Sequence, residues 1–280
     1  MKDSLTVALI SEVFHDAGGG HRLKQLLAEA RARGADLAVL PELPLHPWVP
    51  ATRAAAEEDA EPVRGTRHVL LAAAAETAGI ALLGGAIVRH PATGERHNTA
   101  LLFDARGALR GSYAKLHLPD EEGFWEGAHY APGHEAPRMA ELDGFPLGIQ
   151  LCSDVNRPEG TSLLAAQGAL AVLAPRATEP QSWESWKLVL RANARTACCY
   201  VASVNRPREE RGVPLGGPSF VAGPSGEVVL ESLETLSLAR LDRATIEAAR
   251  ARYPGYVAVR SEIYAEGWAA LVSPVRVDER

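Results

Sequence analysis

The chain has 280 residues, 46% of them hydrophobic and 23% charged, with a formal net charge of −6. That apolar content is enough for a large core, and the interspersed charges offer no basic face of the kind a phosphate backbone needs, so nucleic acid is excluded as the main partner. The apolar stretch of MKDSLTVALISEVF is too short for a signal peptide, nothing approaches a membrane span, and three cysteines, two of them adjacent, make no disulfide framework; a cytoplasmic setting without membrane contact is expected.

Residues 6–14, TVALISEVF, read as a buried strand. HRLKQLLAEARARG follows with Leu23, Leu26, Leu27 and Ala30 on one helical face and Gly34 as its C-terminal cap, and ADLAVLPE then reads as a second strand. This β-α-β unit predicts a right-handed crossover between parallel strands. Gly18-Gly19-Gly20, ahead of the helix, lacks both the GK[ST] ending of a phosphate loop and the spacing of a dinucleotide fingerprint, and reads as a flexible turn.

The alternation continues. A helix is predicted over 63–78 before the strand IALLGGAIV, and NTALLFDARGALRGSYAKLHL reads as two alternating strands around a DARG turn. PLGIQL is a strand ending at Cys152. Helices over 158–167 and 182–197 precede the strands ALAVLAP and CYVASVN, and SFVAGPSGEVVLES forms a hairpin around PSG. Trp183 and Trp186, three apart on one helix, suit packing rather than a ligand cage. No linker or composition break divides residues 1–280, so one α/β domain with mixed sheets covered by helices is expected.

The residues that bear chemistry fall at strand ends, where open α/β architectures build their sites. Glu42 follows LAVLP, Lys115 lies near the end of GSYAKLHLP, and Cys152 ends PLGIQL. Taken singly, each has an ordinary explanation: a turn carboxylate, a solvated lysine, a small core cysteine. Together they supply a base, a cation and a nucleophile. No G-x-S-x-G elbow surrounds Ser219 or Ser225, the nine histidines show no H-x-x-x-H on a predicted helix, and the cysteines lack C-x-x-C spacing, so neither a metal nor a cofactor is expected.

From about Leu5 to about Leu241 the sequence resembles the nitrilase superfamily of carbon-nitrogen hydrolases. The resemblance rests on GADLAVLPEL with Glu42, YAKLHLPD with Lys115, LCSDVNRPEG with Cys152, and FWEGAHYAPG with Glu126. It implies a Glu-Lys-Cys triad with Glu126 as a second glutamate. It also implies a four-layer α-β-β-α sandwich with two mixed sheets, assembled as a homodimer or higher homo-oligomer, with an extension from about residue 252 at the oligomer interface.

A free thiol is mostly protonated at neutral pH, so Cys152 needs a base, and Glu42 fits that role. Lys115 and the backbone N–H of Ser153 would hold the tetrahedral oxyanion, a task worth about 3 kcal/mol per donor. Glu126 would position Glu42 or the leaving group; as an isolated loop carboxylate it would do neither. Pro158 suits the first turn of a helix whose N-terminus favours a nearby thiolate. Arg176, after ALAVLAP, is expected at the same sheet edge as Cys152, in a loop that borders the substrate in related amidohydrolases. There it would either hold a substrate carboxylate or pair with Glu179.

Departures from the family pattern bear on the substrate. True nitrilases typically read Cys-Trp-Glu where this chain reads Cys-Ser-Asp, which favours a small amide or N-carbamoyl substrate over a nitrile, and the small Ser153 opens the pocket. Asn193 and Thr196 stand where the family more often places Arg and Glu, which touches packing and not the triad. The competing expectation is a relative that transfers the acyl group to an amine, or binds a small molecule or protein without hydrolysis.

Overall fold

A computed structural model describes residues 2–271. The first half of the chain forms β1 (Ser4–Ile10), α1 (Gly19–Ala32), β2 (Leu37–Val39), β3 (Ala60–Pro62), α2 (Thr66–Ala78), β4 (Ala81–Arg89), β5 (Arg96–Phe103) and β6 (Leu109–Ala114). A small hairpin, β7 (Asp120–Glu121) and β8 (Phe124–Trp125), leads to β9 (Ala140–Leu142), β10 (Phe145–Ile149), α3 (Pro158–Ala166), β11 (Ala171–Leu173), α4 (Trp183–Ala197) and β12 (Tyr200–Ser203). The chain continues through β13 (Ser219–Ala222), β14 (Val228–Ser232), β15 (Leu236–Asp242), α5 (Arg243–Arg250) and α6 (Ser261–Ala269).

Two mixed sheets result. One runs β15-β1-β2-β4-β5-β6, with β3 beside the far end of β4, and the other runs β14-β13-β12-β11-β10-β9. β1, β2 and β4 are parallel, as are β10, β11 and β12, while hairpin partners such as β4 and β5 pair antiparallel.

Side-chain alternation explains the layering. In β1, Val7 and Leu9 point into a core shared with Leu147, Ile149 and Leu173 of the second sheet, while Ala8 and Ile10 point the other way, onto Leu23 and Leu27 of α1 and Leu71 of α2. The outer face of the second sheet repeats this, with Val172 and Val201 packed against Leu164 of α3 and Leu190 of α4. The stack is therefore α-β-β-α, and strands buried on both faces read as continuous apolar runs.

Several boundaries differ from the sequence reading. Gly18-Gly19-Gly20 is no flexible turn: α1 begins at Gly19, where a Cβ would lie 2.1 Å from the Phe14 carbonyl oxygen. Gly34 caps α1 at φ +86°, as expected. The second strand shrinks to Leu37–Val39, and β10 stops at Ile149 rather than reaching Cys152. The sheet hydrogen bonds nevertheless run past both bounds, Leu40 N–H donating to Leu83 O at 2.9 Å, Gln150 N–H to Leu173 O at 3.0 Å and Cys152 N–H to Pro175 O at 2.9 Å, so Cys152 stands at the hydrogen-bonded end of its strand. β3, β9, β15, α5 and α6 are elements that the sequence reading does not single out.

Candidate active site

At one end of the inter-sheet layer the apolar packing gives way to a sealed polar cluster. Glu42, Lys115, Glu126 and Cys152 are all at most 5% exposed. The structure thus brings the expected base, cation, second glutamate and thiol together from four separate segments.

Lys115 sits at the centre. Its backbone extends β6, with N–H donating to Asn98 O at 2.9 Å, and its Nζ donates to Glu42 Oε1 at 2.8 Å and to Glu126 Oε1 at 2.6 Å. An ammonium has three N–H groups, so one is left without an acceptor among the described residues. Burial alone would pull the Lys115 pKa down, but the two glutamates outweigh it and hold the ammonium charged well above its ordinary range. Burial does the reverse to Glu126: together with the neighbouring Glu42 charge, and against the pull of Lys115, it raises that carboxyl to about 7.

Glu42 lies just past β2 on a loop turned by Leu43 at φ +48°. Arg206, itself buried, fixes that loop by donating from Nη1 to the carbonyls of Glu42 and Leu43 and from Nη2 to that of His46. Asn98 Nδ2 donates to Glu42 Oε1 at 2.7 Å. The other oxygen, Glu42 Oε2, is buried without a hydrogen-bond partner among the described residues, and so is Glu126 Oε2. Buried polar atoms are rarely left unpaired, and such exceptions favour a ligand or a reacting group.

Cys152 opens a 3₁₀ turn, Cys152–Asn156, at φ +46°, a left-handed conformation that costs a non-glycine residue free energy and marks functional turns. Its N–H donates to Pro175 O at 2.9 Å, and its Sγ lies 3.7 Å from Ala177 O. Burial, with the Glu42 charge adding to it, pushes the thiol pKa well above its ordinary value despite Lys115. The thiol therefore rests protonated and needs a base to become a nucleophile. Ser153 follows in the first turn, where a backbone amide has no acceptor within the turn. Its hydroxyl donates to His117 O.

Asp154, which no motif singles out beyond its place after Cys152 and Ser153, locks the arrangement. Its Oδ1 accepts from the N–H of Leu116 and His117 and lies 2.7 Å from the His117 ring Nδ1, while its Oδ2 accepts from Tyr113 O–H at 2.9 Å and Leu151 N–H at 3.2 Å. One buried carboxylate thus joins the strand that carries Lys115 to the turn that carries Cys152. The sequence does hold a signal for it: an acidic residue two after a strand-end cysteine is placed to accept from the backbone of its own turn. Asn193 Nδ2 braces the same turn from α4 by donating to Val155 O at 2.7 Å, whereas Thr196 bonds only within α4.

Arg176 emerges beside the cluster but is not paired with Glu179. Its guanidinium is buried and donates to Thr178 Oγ1 at 3.2 Å, to Ser203 Oγ at 2.8 Å and to Pro218 O. No carboxylate pairs with it among the described residues, and burial lowers its pKa to about 9. A separate cavity of about 740 Å³, lined by Tyr113, Leu116, His117, Gln150 and Trp268 among others, backs onto Asp154 and does not include Glu42, Lys115 or Cys152.

Comparison with known proteins gives the chain a family and a fold. The model of the carbon-nitrogen hydrolase family matches residues 11–251. A protein described as a hydrolase in the pqqF 5′ region of Pseudomonas protegens is 34% identical over 238 residues, covering 84% of this chain and 81% of its own. The chloroplastic omega-amidase of Arabidopsis thaliana is 30% identical over 276 residues, covering 92% and 71%. Among solved structures, a variant of the amidase from Nesterenkonia sp. AN1 matches with a TM-score of 0.74 at 27% identity, covering 94% of this chain and 97% of that one. It shows covalent addition of the acetamide moiety of fluoroacetamide at its active-site cysteine. With that fold, those relatives and a family match across most of its length, this chain belongs to the carbon-nitrogen hydrolase family and is an amide-hydrolysing enzyme of the nitrilase superfamily.

Proposed function

We propose that the protein cleaves the C–N bond of a small amide or N-carbamoyl compound through a thioester on Cys152, releasing ammonia. The observation that carries this reading is the sealed Lys115 ammonium bridging two glutamates, each with one oxygen free, beside a protonated thiol. Because the thiol rests neutral, Glu42 Oε2 takes its proton as Sγ attacks the carbonyl carbon. The resulting oxyanion is held by the third N–H of Lys115 and the Ser153 amide. Glu42 then returns the proton to the departing nitrogen as the C–N bond breaks. In the second half it removes a proton from water, which attacks the thioester and restores the thiol. Glu126 fixes Lys115 throughout. The covalent adduct on the cysteine of the Nesterenkonia amidase supports the same chemistry here.

Arg176 narrows the substrate class. A buried guanidinium without a carboxylate partner favours an anion nearby, and only three of its five N–H groups are engaged. This supports an amido or ureido acid whose carboxylate Arg176 holds, in keeping with the omega-amidase name of the Arabidopsis relative. Ammonia release from matched anionic and neutral amides, ureido acids and nitriles tests both points. Arg176→Ala is expected to lose about 1.5 to 3 kcal/mol of transition-state stabilisation on the anionic substrate only. Equal losses on anionic and neutral substrates would reduce Arg176 to a packing role. Rapid transfer to an added amine, or preference for nitriles, would overturn the hydrolytic reading.

Assembly as a homodimer or larger oligomer belongs to the same proposal. The segment from about 252 supports it: α6 buries none of its residues, and Tyr256, Ile263, Tyr264 and Trp268 are each more than half exposed. Residues 272–280 of that segment lie outside the described residues. Light scattering is expected to show a dimer or larger species that Ile263→Glu reduces to a monomer.

A further inference from the structure

The histidines show no metal-binding spacing in the sequence, yet the fold assembles a set of donors. β4 and β5 are joined by a tight hairpin closed by His90 N–H donating to Glu95 O at 2.7 Å and by Gly94 at φ +75°. Glu95, the residue before β5, and His97 within it fall on one face because side chains repeat every second residue in extended chain. The segment after Tyr130 is then pinned against both strands of the neighbouring hairpin, Ala131 N–H donating to Arg96 O and Gly133 N–H to Lys115 O, each at 2.8 Å. That pinning brings His134 over the same face. One donor atom from each of Glu95, His97 and His134 lies within 4.8 Å of the others.

We propose that Glu95, His97 and His134 form a binding site for a divalent transition-metal ion of the zinc type. Two imidazoles and a carboxylate are a donor set that suits zinc, and three protein ligands leave a position for water. The ligands are also oriented as metal ligands are. The His97 ring, 6% exposed, has its Nδ1 3.0 Å from Ala131 O, which turns Nε2 outward as the free donor. Thr93 Oγ1 donates to Glu95 Oε2 at 3.0 Å, holding that carboxylate in place, and His134 Nε2 lies 3.0 Å from the same oxygen. Donor atoms around tetrahedral zinc stand about 3.3 Å apart, so the set, now within 4.8 Å, must draw together on binding, which the solvent-facing side chains of Glu95 and His134 leave room for. The side chains of Glu95 and His134 are 41% and 62% exposed, so an ion enters from solvent and ties the β4–β5 hairpin to the segment that ends at His134.

His97 precedes Asn98, but the two side chains point to opposite faces of β5, and Asn98 serves Glu42. The ion site is therefore distinct from the catalytic cluster. The test uses full-length, untagged protein carrying Cys152→Ala, so that the thiol holds no metal. After equilibration with Zn²⁺ and gel filtration, one ion per chain is expected, together with a raised thermal midpoint. His134→Ala and Glu95→Gln, both at exposed positions, should each weaken binding at least tenfold and abolish the thermal shift. Co²⁺ in place of Zn²⁺ should give a visible spectrum of low coordination number that His134→Ala removes. Failure to retain an ion would mean that Glu95 and His134 form only a hydrogen-bonded pair, and equal retention by His134→Ala would place the ion elsewhere. Either result overturns the proposal.

Discussion

The middle and the end of the inter-sheet layer are equally buried and differ in what burial does. In the middle, Leu9, Val39, Leu83, Leu147 and Leu173 are fully buried apolar side chains, each stabilising the fold in proportion to area at about 25 cal/mol per Å². At the end, Glu42, Lys115, Glu126 and Asp154 are just as inaccessible, and each ion taken from water costs several kcal/mol before its partners offset it. The middle makes the two sheets one body. The end draws on that stability to hold charges in a dry place, where a proton transfer or an oxyanion feels them strongly.

The sharpest way to test this contrast is to remove chemistry without touching packing. Cys152→Ala is expected to lower ammonia release by about 10⁴-fold or more while leaving the thermal midpoint near that of the parent, because the turn is held by Asp154 and not by the thiol. Substantial residual turnover would break the assignment. Lys115→Met goes further, since it leaves two buried glutamates facing each other. It should reduce turnover by about 10² to 10³ and destabilise the fold by about 3 to 5 kcal/mol, measured by denaturant titration.

The opposite substitution belongs in the middle of the layer. Leu147→Ala should cost about 2 to 5 kcal/mol of stability through the cavity it leaves, with kcat/KM per folded molecule retained. If activity per folded molecule fell in step with stability, the separation between middle and end would fail. The smallest effect concerns pH. Burial raises the Glu126 pKa from its ordinary 4.5 to about 7, so between those values the folded state holds a proton that the unfolded chain has lost. Stability contributed by that proton is complete below about 4.5 and disappears as pH rises through about 7. Glu126→Gln should flatten this slope, which unfolding midpoints across pH 4.5 to 7.5 would show.

Much of the fold and of the site is legible in the amino-acid sequence. The 3.6-residue period of α1, the apolar runs of the central strands and the turn glycines mark most elements, because those signals are local. Glu42, Lys115 and Cys152 stand out because each follows an apolar run with a polar residue at a strand end, and the structure brings them together with Glu126. Boundaries are the weaker part: Leu37–Val39 and Phe145–Ile149 are shorter than the apolar runs that contain them, because apolar content marks burial and not the residue at which a ladder stops.

By itself the sequence determined the alternation of strands and helices, the apolar faces that force a layered stack, and the residue types that can act as base, cation and nucleophile. Only the tertiary structure decided which side chains hold those three in register. Asp154 reaches Tyr113 across 41 residues and Arg206 reaches the Glu42 loop across 164. The donors at Glu95, His97 and His134 likewise meet only because a hairpin and a distant segment are pinned side by side. Such contacts leave no period or spacing in the chain, because they are fixed by how sheets twist and stack and not by the order of neighbouring residues.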